Sequence, residues 1–188
     1  GRVLGCGAGA EYPQVWLRDG ATLVPALRYH VARAGLESWI EEHLLHQGPG
    51  GELFGWIAPG EPGRFREAAP RARLVYREGS ILVSADKNTT AADQEASAVD
   101  AAFAVFQLTG DRAWLAKPLA GTPLLDRLDA ALGYVLRERP DPGSGLVASA
   151  FTADWGDVSP APPDEGAIYL DDETPVVVGL YTNAFVAK

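Results

Sequence analysis

The chain has 188 residues but no methionine, a single cysteine and three histidines. Nowhere does it hold an apolar run near the ~20 residues needed to cross a bilayer. Each shortage excludes something. With Cys6 alone there is no internal disulfide and no cysteine-built zinc knuckle, although compartment stays open. Basic residues are too few to make a phosphate-binding face: 16 Lys and Arg against 25 Asp and Glu give a net charge of −9. That balance argues against nucleic acid as a partner, whereas a neutral carbohydrate would not be repelled. No methionine means no initiator residue, and the sequence stops in mid-pattern at "YTNAFVAK", without a capping glycine or proline. The expectation is one incomplete domain over 1–188, a fragment of a longer chain. Localisation and oligomeric state are left undetermined.

What is present is ordinary for a globular domain, with 47% hydrophobic and 22% charged residues. Residues 21–34, "ATLVPALRYHVARA", carry Leu23, Ala26, Leu27 and Val31 at helical spacing, with Gly35 as the stop. The next stretch, "LESWIEEHLLHQ", sets Leu36, Trp39, Ile40 and Leu44 on one face and Glu37 and Glu41 on the other, predicting an antiparallel helical hairpin. Residues 48–90 are rich in Gly, Pro and Arg, with short apolar pieces that suit small strands. Helix returns over about 90–108, with Ala98, Ala102, Val105 and Phe106 inward and Gly110 as cap, and again in "PLLDRLDAALGYVLRERPDPGSG", stopped by Pro140 and Gly143. A last helix is expected from Asp172 or Thr174 as N-cap, with Pro175 in its first turn.

Two motifs compete for the chemistry. "RVLGCGAG" near the start matches the glycine loop of a nucleotide-binding β-α-β unit. Tyr12-Pro13 follows almost at once, however, and no alternating β-α-β pattern appears downstream. The glycines are better read as shaping a loop. "FTADWGDVSP", at 151–160, sets Asp154 and Asp157 on either side of Trp155-Gly156. Aspartate and glycine are common turn residues, so a surface turn explains the types alone. A sugar site explains them together: an indole face carries the ring and a carboxyl moves the proton.

Three segments resemble the six-hairpin glycosidases, the (α/α)6-barrel clan of glucoamylases, trehalases and processing α-glucosidases. They are "YPQVWLRDG" at 12–20, "DQEASAVDAAFAVFQLTGDRAWL" at 93–115 and "GLVASAFTADWGDVSP" at 145–160. The resemblance implies a mainly α fold, part of an (α/α)6 toroid of two concentric helical rings, with loop insertions that carry short strands. It implies hydrolysis of a terminal, α-linked sugar with inversion, and no metal or organic cofactor. It also implies that Arg18 and Asp19 bind hydroxyls of the terminal sugar and that the Asp154/Asp157 loop supplies the general acid. The second carboxylate is expected beyond Lys188.

The chemistry fits these residue types. Glycoside hydrolysis needs one carboxylic acid to protonate the leaving oxygen and one carboxylate across the ring. Burial and a nearby negative charge both raise a carboxyl pKa, which keeps the acid protonated. Asp157 is the preferred acid, since "DVSP" resembles the acid-x-Ser-Pro run of some clan members; the reverse assignment to Asp154 stays open. Arg18 and Asp19 suit adjacent hydroxyls, while a solvated Arg18 and an N-capping Asp19 account for the same pair. Of the tryptophans, Trp16, Trp56 and Trp155 fall in predicted loops, with Trp155 the foremost candidate for stacking on sugar and Trp56 the last. Trp39 and Trp114 lie on predicted helices and read as core. Glu95 heads a helix, where it either favours the helix dipole or points toward substrate. His43 and His46 complete no metal site and read as surface residues. Two other classes of function remain: a sugar epimerase or phosphorylase on the same barrel, or a carbohydrate-binding helical domain without catalysis.

Overall fold

A computed structural model describes residues 15–59, 73–78, 81–86, 91–150 and 176–188. Among these residues the fold is mainly α. Strand β1 (Val15–Trp16) runs straight into helix α1 (Leu17–Leu27), and α2 (Arg33–Leu45) follows. The break between the helices falls at residues 28–32 rather than at Gly35, which lies inside the first turn of α2. Pro25 interrupts the hydrogen-bond ladder inside α1. It sits in the last turn of α1, lacks the N–H that would bond back to Ala21, and the helix ends two residues later. Gly20, in the first half of α1, lies against the ring of Trp39, the middle residue of α2. Two helices folded back on each other meet in this way, so the expected hairpin is present with shifted ends.

The region read as small strands forms β2 (Trp56–Pro59), β3 (Arg73–Glu78) and β4 (Ile81–Asp86). With β1 they make a four-stranded antiparallel sheet in the order β1-β2-β4-β3. Trp16 pairs opposite Trp56, and Trp56 opposite Asp86. No parallel pairing occurs among the described strands, and "RVLGCGAG" lies outside the described residues.

Helix α3 (Gln94–Thr109) is the centre of the fold. It touches α1, α2, α5 and α6. Its first turns are buried on every side, from Gln94 through Ala98, which a surface helix with a polar face does not show. Ala96, Ala98, Ala101 and Ala102 are small enough to let its neighbours come close, and Val105 is fully buried. Gly110, at φ 64°, ends it in the left-handed region, and its N–H bonds the Phe106 carbonyl at 2.7 Å. The short α4 (Arg112–Leu115) follows. Its N-cap Asp111 accepts from the Trp114 and Ala113 N–H groups; the Trp114 bond, then Arg33 and the Ala113 bond, hold the Asp111 carboxyl below its ordinary value against its partial desolvation. After the β5 (Pro118–Leu119) and β6 (Thr122–Pro123) ribbon, α5 (Leu124–Glu138) runs back along α3. Leu125 and Leu128 face Phe106 at one end, and Val135 meets Ala92 at the other.

The last helix begins later than its sequence suggests. Val176–Val177 is not helical; it forms β8, paired with β7 (Ser149–Ala150). Helix α6 spans Leu180–Ala187 with Gly179 as N-cap, and Asn183 bonds both the N–H and the carbonyl of Val147 at 2.8 Å. A run of three valines favours strand over helix, which overrides the proline before it. The caps read at Asp172 and Thr174, and Pro175, lie outside the described residues.

Candidate functional site

The heads of α1 and α3 meet. Arg18, second residue of α1, donates from Nε and Nη2 to the two carboxylate oxygens of Asp93, the N-cap residue of α3, both at 2.6 Å. Asp93 is fully buried and Arg18 largely so. A solvated Arg18 is thereby ruled out. So is an N-capping Asp19: it is the third residue of α1, whose N-cap is Trp16 and carries no side-chain cap bond. The first N–H of α1, from Leu17, is instead satisfied by the Gly55 carbonyl at 2.9 Å, tying the helix head to the turn before β2.

Trp16 is not in a loop but ends β1, and Trp56 begins β2. Their ring centroids lie 6.3 Å apart, tilted by 56°. Trp56 is buried and Trp16 only partly so. Indole, guanidinium and carboxylate thus share one end of the helical pair, with Trp16, Arg18 and Asp19 within four consecutive positions.

Glu95 lies on the same end, second in α3 and buried. Its Oε1 accepts the Leu53 N–H at 3.0 Å, so it anchors the loop that leads into β2. Tyr134 and Arg139 of the α5 end, with Glu52, belong to the same neighbourhood. Burial pushes the Tyr134 phenol above its ordinary value; Arg139 opposes the rise, and Glu95 and Glu52 add to it. Asp154, Trp155 and Asp157 lie outside the described residues.

Two expectations about α2 divide. Trp39 is core, as is Trp114, whose Nε1 donates to Glu41 at 3.0 Å. His43 is buried rather than on the surface, edge-on to Trp39 with centroids 5.8 Å apart. His46 is mostly covered and meets buried Glu42 at 3.1 Å. Helix α2 packs on both α3 and α5, so it has no fully solvated face for these histidines. Among the described residues no group of three His, Cys, Asp or Glu is placed to hold a metal ion, and no helix is long and apolar enough to cross a membrane.

Asp93 and Trp56 are the residues that sequence reading undervalued. Asp93 looks like one more acid at a helix start, and its partner lies 75 positions away, beyond any local pattern. Trp56 offered a signal in its aromatic setting within a long polar connection. Comparison with family models, curated proteins and solved structures returns no match to this chain.

Proposed function

We propose that this chain is part of an (α/α)6-toroid glycoside hydrolase that cleaves a terminal α-linked sugar with inversion. The observation that carries the reading is the cluster at the heads of α1 and α3: the partly covered Trp16 indole, the Arg18 guanidinium and the Asp19 and Asp93 carboxylates. An indole face suits the apolar side of a pyranose, and a guanidinium held in one orientation by buried Asp93, with the Asp19 carboxylate next to it in sequence, suits its hydroxyls. The helix directions support the toroid. With their heads in contact and their lengths packed together, α1 and α3 run the same way, while α2 and α5 return beside them. Neighbouring inner helices joined through outer ones have this arrangement.

In this reading Trp16, Arg18, Asp19 and Trp155 bind the terminal sugar, with Glu95, from the head of α3, anchoring the Leu53 loop. Asp157 is the general acid that protonates the leaving oxygen, and Asp154 contributes negative charge or a hydrogen bond beside it. A second carboxylate, not assigned to a residue of this chain, activates the water. No cofactor enters.

The test is Asp157→Asn in the full-length protein with maltose as substrate. Hydrolysis should fall by roughly 10²–10⁴-fold, the usual worth of a general acid, with little change in melting temperature. Undiminished turnover removes Asp157 from the mechanism. A phosphate requirement, with a sugar phosphate as product, would replace hydrolysis by phosphorolysis.

A further inference from the structure

We infer that Asp93 and Trp56 are positioning residues of this site: buried braces that fix Arg18 and Trp16 in the orientation a sugar ring meets. The inference rests on the glycosidase reading and goes beyond it by assigning roles to two residues that would not touch substrate.

The two braces are built alike. In each, a partly covered residue beside the start of α1 is backed by a nearly inaccessible one from a distant element. Asp93, 0% exposed, takes both its bonds from one edge of the Arg18 guanidinium. A planar carboxylate gripping the Nε/Nη2 edge through two 2.6 Å bonds fixes the guanidinium plane as well as its place, and it turns the Nη1 edge away from Asp93. A single contact would leave that plane free to rotate, and a lysine has no plane to fix. Trp56, 3% exposed, stands opposite Trp16 in the sheet register and limits the tilt of the outer indole. Trp16 and Arg18 flank Leu17, whose N–H is itself held by Gly55. Side chains and backbone of this short segment are therefore held by two elements, residues 55–56 and the head of α3. A long, flexible arginine and a rotatable indole gain the most from such support, because binding then pays little for ordering them.

The experiment is a double-mutant cycle in the full-length protein, with kcat and KM for maltose measured separately. Wild type is assayed first, together with glucose binding followed by tryptophan fluorescence. Asp93→Asn should lower kcat/KM by on the order of 10²-fold, as small misplacements of positioning groups do, and mainly through KM. In an Arg18→Lys background the same change should cost almost nothing further, because Asp93 acts through Arg18. Trp56→Phe should keep most of the activity and Trp56→Ala should lose it, with that loss absent in a Trp16→Ala background. Should Asp93→Asn fail to fold, the Trp16/Trp56 cycle carries the test. Additive losses, or an unchanged KM in both single variants of an active wild type, overturn the positioning role and leave the glycosidase reading standing. A wild type that neither cleaves maltose nor binds glucose overturns both.

Discussion

His43 shows how a single residue can set the response of the molecule to acid. Burial, with His46 close by, pushes its imidazole from the ordinary 6.5 down to about 3. Between those values the unfolded chain binds a proton that the folded chain refuses. Stability from this group is therefore complete above pH 6.5 and declines as pH falls toward 3. At pH 5 the loss relative to pH 7 should be about 2 kcal/mol. Urea unfolding at the two pH values should show it, and His43→Leu should flatten the difference. An equal acid loss in the variant would place the effect elsewhere. The sequence alone did not reveal this buried position. A histidine next to glutamates on an amphipathic pattern reads as outward, and only the packing of α2 against two other helices shows that its second face is covered. Asp93 was hidden for a related reason, since an acid before a helix explains itself locally and gives no hint of a distant guanidinium.

At the scale of elements, helices with strong punctuation were legible and those without it were not. Helix α3 closes on Gly110, and α5 is amphipathic and closes before Pro140, so their C-terminal ends fall where their sequences put them, while α3 starts at Gln94, about four residues later than its pattern suggests. Helix α1 lacks a capping side chain, and its start was missed by several residues. Two glycines separate space from backbone angle as causes of cost. A Cβ added at Gly20 would sit 2.2 Å from the Trp39 ring, so Gly20→Ala must displace that ring or part α1 from α2. A Cβ at Gly110 meets nothing within 4 Å, but the residue holds φ 64°. Gly110→Ala should cost about 1–2 kcal/mol, the strain of a left-handed residue, and leave the packing intact. Gly20→Ala should cost at least as much, in the range of about 1–3 kcal/mol for overpacking, and should also change the fluorescence of Trp39. Thermal melts with emission spectra of both variants make the comparison.

For the molecule as a whole, the mainly helical class was readable from periodicity, while the central place of α3 was not. Its alanines mark it only as a helix that others can approach. Contact with four other helices makes it the element through which they communicate stability. Val105→Ala, at a fully buried position of α3, should therefore cost about 2 kcal/mol. Circular dichroism and tryptophan emission should shift to lower denaturant together, as one transition. Separate transitions would mean that the helices melt independently. The pairing of Arg18 with a residue 75 positions later also has a consequence in time. A chain emerging from the ribosome exposes the head of α1 long before its counter-charge exists, and contacts of such sequence separation close late. The head of α1 gains its buried counter-charge in one step, when α3 docks, and a nascent chain shorter than that lacks the Arg18–Asp93 pair.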